Sequence, residues 1–319
     1  MNIIMLGAAG FIGTNLVIEL ARRDHNITVV SKELKHCKHI LNMNFPNVKC
    51  IRSDLSVDTD YRSLVKNQDV VYHLLSSTVP TTSNQHISQE IINNVVLSSN
   101  LLDACVSTDV KKVIFFSSGG TVYGKEVGCP LKEDTPTKPI SSYGVQKITI
   151  EKLIYLYHYM YGIDYRIIRL GNPYGPFQRP NGVLGAVTMF TYKALCGEPI
   201  VVYGDGSVIR DFIYIDDAIR GVLNISENNC KHKTYNLGSG YGTSINDVLN
   251  CIRETLNINV SVEYTGGRKV DVPVNYLDIS RYEETFGKLN PIPLSEGIRK
   301  TASFLIKEYN LAKYYYCLF

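Results

Sequence analysis

Asn2-Ile3-Ile4-Met5-Leu6-Gly7-Ala8-Ala9-Gly10-Phe11-Ile12-Gly13 is the stretch on which the fold turns. A short apolar run leads into a glycine-rich turn and then into an amphipathic stretch reaching about Arg23, which reads as strand, tight turn and helix. Glycines let a backbone approach a pyrophosphate closely. The N-terminus of the following helix supplies unsatisfied N–H donors and a partial positive charge to hold it. The context predicts a dinucleotide site in which Gly7, Gly10, Phe11, Ile12 and Gly13 meet the phosphates.

Outward from this turn, strands and helices alternate. Ile27 to Val30 is the next predicted strand, and its end is where an acidic residue ordinarily takes the adenosine ribose hydroxyls. The residues there are Ser31, Lys32 and Glu33, so Lys32 or Lys35 can instead meet a 2′-phosphate, and NAD and NADP are both open at this position. Val48 to Arg52 predicts a third strand leading to Asp54 and Leu55. The Asp54 carboxylate suits an adenine amino group or, equally on spacing, a helix cap. Asp69 to Leu75 predicts a buried fourth strand. His73 within it is expected to be a packed core residue, because its neighbours are apolar and no metal-like partners accompany it. The polar segment from Ser76 to Ser83 is expected to loop over the cofactor, followed by a helix from about Ile87 to Val106. Lys112 to Phe116 then delivers Ser117-Ser118-Gly119-Gly120-Thr121 at a carboxyl edge, where open α/β sheets bind ligands.

Tyr143 and Lys147 come next, four residues apart at the start of a predicted helix to about Tyr161. That spacing puts both on one face, where an ammonium near a phenol favours the phenolate and suits it to proton transfer. Tyr165 to Leu170 predicts a sixth strand. After it the pattern loosens through Asn172-Pro173-Tyr174-Gly175-Pro176, and shorter elements follow, including a strand opened by Arg210-Asp211, a helix from Asp216-Asp217 and a last helix over about Leu294 to Tyr309. The expected architecture is α/β: a Rossmann-type doubly wound parallel sheet over 1–172, and over 173–319 a smaller C-terminal α/β substrate lobe from which some segments return to the first domain.

Composition narrows the function classes. The chain has 319 residues, 45% of them hydrophobic, and a formal charge of +3 without a basic run, so nucleic acid is not an expected partner. Eight cysteines lack CxxC or other metal-ligand spacing and are expected to be reduced thiols of a cytoplasmic protein, with no metal site. No apolar run reaches the roughly 18 residues of a membrane span. The aromatic tail Tyr314 to Phe319 carries no assigned role.

The glycine turn, the Ser-Ser segment and the Tyr-x-x-x-Lys pair, in this order, resemble the extended short-chain dehydrogenase/reductase family, particularly its nucleotide-sugar epimerases. Val208 to Asp217 resembles that family's Val-x-Arg-Asp-Phe-Ile-x-x-Asp-Asp segment, and Arg268 to Asp271 with Asp278 its late Arg-x-x-Asp element. The resemblance implies NAD as cofactor, held additionally by Leu74, Leu75, Ser76, Asn94 and Ser117. It makes Tyr143 the base and acid, with Lys147 lowering its pKa and holding the nicotinamide ribose. Related epimerases often carry a serine where Gly119 stands, so the bridging hydroxyl falls to Ser118, with Thr121 assisting. Asn172 would contact the sugar nucleotide, Arg210 and Arg268 the diphosphate, and Asp271 the uridine ribose. Asn275 stands where a bulky tyrosine restricts the pocket to plain hexoses, which implies a roomier site. The implied reaction is epimerisation at C4 of a UDP-hexose by a homodimer. A ketone reductase, a sugar-nucleotide dehydratase and a non-catalytic dinucleotide binder are the alternatives; Gly119-Gly120 lacks the acid–base pair of a dehydratase.

Overall fold

A computed structural model describes residues 1–77, 83–125, 128–181, 185–267 and 272–311. Strands β1 (Asn2–Leu6), β2 (Asn26–Ser31), β3 (Val48–Arg52), β4 (Val70–His73), β5 (Lys112–Ser118) and β6 (Asp164–Leu170) form one parallel sheet in the order 3-2-1-4-5-6. A seventh strand, Thr234–Leu237, returns from far along the chain to pair parallel with β6. The order reverses between β1 and β4, which opens a crevice at their carboxyl ends.

Alternation along β1 shows why these runs are uniformly apolar. Ile3 and Met5 pack into one core and Ile4 and Leu6 into another, so each face of the sheet carries its own buried layer. Burying one such side chain contributes roughly 1.5–3 kcal/mol. His73 is part of this packing: it is buried, lies edge-on to Phe115 at 5.1 Å, and pairs through Nε2 with the Ser98 hydroxyl at 2.7 Å. Burial, with Lys147 second, pushes its imidazole down to about 3.

Helix α1 (Phe11–Ala21) follows the glycine turn. The helical stretch Ile87–Ile91 continues through a π-helical segment, Ile92–Val96, into Leu97–Ser107. The longest helix, Ser142–Tyr161, ends at Gly162, whose left-handed backbone (φ 77°) returns its N–H to the His158 carbonyl.

The second lobe is built from small sheets. Ile200–Tyr203 pairs with Val262–Thr265, and Asn172–Tyr174 with Phe212–Tyr214. Ile209–Arg210 lies between Thr243–Ser244 and Val274–Asn275. The strand expected to open at Arg210-Asp211 is interrupted at Asp211. The reason is the Asp211 carboxylate, which is fully buried and accepts from the Ser239 N–H and hydroxyl and from the Leu277 N–H. Arg268, Asp271, residues 78–82 of the predicted cofactor loop and the tail Tyr314 to Phe319 lie outside the described residues. Among the described residues no helix is long and apolar enough to cross a membrane, and no group of His, Cys, Asp and Glu gathers as metal ligands.

Candidate active site

The glycine turn sits at the mouth of the crevice. Gly7 adopts φ +81°, and a Cβ there would stand 3.0 Å from the backbone of Leu74 and Leu75, so the turn can lie against the end of β4 only as glycine. Leu74 in turn donates its N–H to the Leu6 carbonyl at 2.9 Å. Gly13 packs on Ala8, where a Cβ would approach within 2.3 Å, so α1 seats directly on the turn. Gly10 is different. It is the N-cap of α1, no side chain caps the helix, and an added Cβ would meet only the Gly7 carbonyl at 3.9 Å. The first turn therefore presents bare N–H groups to open space with no acidic residue beside them, which fits an anionic dinucleotide diphosphate.

At the adenosine end, Ser31 is buried and donates its hydroxyl to the Glu33 carbonyl at 3.0 Å. Lys32 is paired with Asp54 at 2.8 Å, and both are exposed. The side chains expected to read the ribose and the adenine are thus brought together, with the Lys32 ammonium already partnered by a carboxylate. Asn94, in the π-helical segment, donates to Ser77 Oγ at 2.9 Å and to Gln146 Oε1 at 2.7 Å, and its Oδ1 accepts from the Ser77 N–H. It ties the segment after β4 to the long helix. Such π segments recur at functional sites because the extra residue aims a side chain inward.

Three donors in the first turn of the long helix are satisfied from outside it. Ser142 N–H goes to Asn84 Oδ1 at 2.9 Å, Tyr143 N–H to Ser83 Oγ at 3.1 Å, and Gly144 N–H to Ser141 Oγ at 3.2 Å. Tyr143 is half-buried on this turn. Lys147, one turn on, is buried, donates to the Phe116 carbonyl at 2.9 Å, and lies 4.8 Å from the Phe115 ring centre and 5.5 Å from that of Tyr143. Burial moves the two groups in opposite directions. It pushes the Tyr143 phenol up to about 12, and brings Lys147 down to about 8 against the opposing influence of the Glu151 carboxylate. The phenol is therefore raised where the spacing predicted it lowered, because desolvation outweighs an ammonium that points at the Phe116 carbonyl.

Beside Tyr143 the segment 118–121 is tightly fixed. Gly144 abuts Thr121, whose carbonyl would lie 2.8 Å from an added Cβ. A Cβ on Gly119 would stand 2.6 Å from Leu277 Cδ1 and 3.1 Å from the Arg169 carbonyl, so Leu277 occupies the space of a serine there. Gly120 lies between Ser118 and Asn172, with the Ser118 Oγ 3.9 Å and the Asn172 Oδ1 4.0 Å from its ideal Cβ position. Asn172 is held by its N–H and its Nδ2, both donating to the Asp211 carbonyl. Asn275 is buried and donates to the Gly119 carbonyl at 3.3 Å, while its Oδ1 and the Thr121 Oγ1 are buried without a hydrogen-bond partner. Ser117 turns the other way and donates its hydroxyl to Glu151. Ser118 and Asn172 thus flank Gly120, Asn275 reaches the neighbouring Gly119 carbonyl, and the Thr121 backbone abuts the helix at Gly144, whereas Ser117 belongs to the layer behind.

A second cleft of about 330 Å³, lined by Tyr203, Gly204, Ser207, Val208, Gly267, Pro273 and Val274, adjoins Arg210. Arg210 donates to the carbonyls of Ile209 and Val272. The half-exposed Tyr203 offers an aromatic face that the sequence reading passed over, although a lone tyrosine before a Gly-Asp-Gly turn is the signal that marks it.

A family model, the NAD dependent epimerase/dehydratase family, matches residues 3–238. A putative UDP-glucose 4-epimerase of Methanocaldococcus jannaschii is 31% identical over 95% of this chain and 98% of its own length. The crystal structure of a UDP-glucose 4-epimerase from Thermotoga maritima with UDP-glucose superposes with a TM-score of 0.89 at 30% identity, covering 97% of this chain and all of that one. A UDP-glucuronic acid 4-epimerase from Bacillus cereus, solved with UDP-glucuronic acid and NAD, gives 0.87 at 28% over the same share of each chain. Less similar relatives include a reductase and a dehydratase. With the glycine turn, the Tyr-Lys pair and these matches in agreement over nearly the whole length, the chain belongs to the NAD-dependent epimerase/dehydratase family.

Proposed function

We propose that this protein is a UDP-sugar 4-epimerase acting through a 4-keto sugar. The observation that carries the reading is the Tyr143–Lys147 pair, with the Lys147 ammonium held by the Phe116 carbonyl 5.5 Å from the Tyr143 ring centre, together with Ser118 and Asn172 flanking Gly120. NAD, when bound, supplies the acceptor and donor of hydride at the sugar carbon, and its oxidised ring adds the positive charge that the phenol needs. Tyr143, brought to its phenolate by that charge, takes the sugar hydroxyl proton at Oη and later returns it. The Ser118 hydroxyl bridges Tyr143 and the sugar, with Thr121, whose buried hydroxyl lacks a partner, assisting. Gly7, Gly10 and the first turn of α1 hold the cofactor diphosphate, with Leu74, Leu75 and Ser76 beside them. Arg210 and Arg268 hold the substrate diphosphate, Asp271 the uridine ribose and Tyr203 the base. Gripping the nucleotide end firmly while leaving the sugar loosely enclosed lets the ketone present either face, and uses remote binding to place the reacting carbon.

Asn275, smaller than the tyrosine that closes the pocket of plain-hexose epimerases, supports a site that also admits an N-acetylated or uronic sugar. Ile87 and Ile91 on one helix and Val145, Leu156 and Tyr159 on the next are exposed together, and a second copy of the chain would cover them in a homodimer. The test is to denature purified protein, identify the released dinucleotide, and offer UDP-sugars without added cofactor. Released NAD with turnover and none added supports the epimerase; a requirement for added NADPH favours a reductase.

A further inference from the structure

The layer behind the proton-transfer pair contains a charge that no step above uses. Glu151 lies one helical turn beyond Lys147, on the same face of Ser142–Tyr161, and is 4% exposed. It accepts from Arg169 at both oxygens, Nη2 to Oε2 at 2.7 Å and Nε to Oε1 at 3.1 Å, and from the Ser117 hydroxyl. Arg169 is also buried and spends its two Nη1 donors on Tyr123 Oη at 3.1 Å and the Glu133 carbonyl at 2.9 Å. We propose that Glu151 is a positioning residue that keeps Lys147 an ammonium, its one carboxylate balancing the charge of both Lys147 and Arg169.

The argument is one of which group yields. Removing a carboxylate shared by two buried cations leaves their charge uncompensated, and a guanidinium does not release its proton at any working pH. Without the carboxylate, the proton leaves Lys147. Burial already draws this ammonium down, and Glu151 is the group that opposes it. The other groups around Lys147 do not replace that role. Tyr143 is a neutral phenol, His73 on β4 is a neutral imidazole, β5 offers the Phe116 carbonyl and the Phe115 ring, and Glu90 on the neighbouring helix is engaged by Ser142 and Gln146. The network also extends outward. Tyr123 donates to Asn236 at 2.6 Å, Asn236 N–H donates to Glu133, and Glu133 faces Arg281 at 3.5 Å, so the balance is anchored in the segment that also carries Asn275 and Leu277.

The inference rests on Lys147 being part of the proton-transfer pair, and its test separates the two ideas. Lys147 is titrated directly through its Cε resonance in lysine-labelled protein, assigned by its absence in Lys147→Met, and the pH profile of turnover is measured beside it. In Glu151→Gln, an isosteric change, Lys147 should lose its proton at a pH lower by about one unit or more, a tenfold change or larger. In Arg169→Gln, which leaves the carboxylate to Lys147 alone, it should lose its proton at a higher pH. The alkaline limb of turnover should move with it in each case. Glu151→Asp keeps the charge and should stay near the parent, and with Arg169→Gln it carries the decision if Glu151→Gln does not fold. An unmoved Lys147 titration in Glu151→Gln, or in Arg169→Gln if only that variant folds, overturns the inference. A moved titration with an unmoved turnover profile leaves the inference standing and instead removes Lys147 from the proton-transfer pair.

Discussion

Placing serine at position 119 should destabilise this protein, and by an amount that depends on Leu277. The added Cβ would stand 2.6 and 2.9 Å from the two Leu277 methyls and 3.1 Å from the Arg169 carbonyl. Backbone retreat is blocked, because the Leu277 N–H is fixed to Asp211 at 3.1 Å and Leu277 bridges to Leu131. The strain must be taken up by turning a fully buried side chain, and overpacking of this kind costs about 1–3 kcal/mol. Leu277→Ala alone should cost about 2–5 kcal/mol as a buried large-to-small change. The two effects share one volume, so they should not add. The double variant should be about 1–2 kcal/mol more stable than the sum of the single losses predicts. Urea unfolding of the four proteins measures this coupling, and turnover of Gly119→Ser should fall because Asn275 is hydrogen-bonded to the Gly119 carbonyl. Strict additivity would refute the steric account of why position 119 carries no side chain.

Removal of the phenol in Tyr143→Phe should lower turnover by about 10²–10⁴-fold with unfolding and bound dinucleotide unchanged, as stopped assays and release on denaturation would show. Asn275→Tyr should narrow the pocket, so that UDP-N-acetylglucosamine loses more turnover than UDP-glucose in parallel assays; equal loss for both sugars would remove Asn275 from substrate choice. Lys147 carries a stability signature as well. Its folded value is depressed to about 8, so below that pH the buried ammonium destabilises the fold, and the penalty is relieved as pH rises through 8 toward the unfolded value. Relative to Lys147→Met, the parent should gain up to about 1 kcal/mol per pH unit in that window, followed by urea unfolding at a series of pH values. Asp211→Asn should destabilise by about 1–3 kcal/mol, because Oδ1 accepts from Ser239 and Oδ2 from Leu277, and the change turns one of these acceptors into an amide donor.

The elements legible in the sequence are those whose signal is local. β1, the glycine turn and α1 are contiguous, and β3 falls on Val48–Arg52 as its apolar run predicts. His73 reads as core because its neighbours in sequence are also its strand. Features that depend on distant partners were not legible. Thr234–Leu237 is only four residues long and becomes a strand through the edge of β6 that it completes. Arg210-Asp211 looks like a strand start, yet Asp211 breaks the strand because Ser239 and Leu277 draw its carboxylate inward. Ser117 and Ser118 are adjacent and chemically identical, but strand alternation sends the first to Glu151 and leaves the second beside Gly120. The direction of the Tyr143 shift was missed for a similar reason: helical spacing shows that an ammonium is near but not what it is aimed at.

The cover that Leu277 and Asn275 place over Gly119 also bears on how the chain is made. Asn275 follows Gly119 by 156 positions. At synthesis rates of about 5–20 residues per second, roughly 8 to 30 s pass between the two leaving the ribosome. During that interval β1 to β6 can pair, while Gly119 still lacks the cover of Asn275 and Leu277. That cover thus reaches the sheet only after the six strands in front of it have been made.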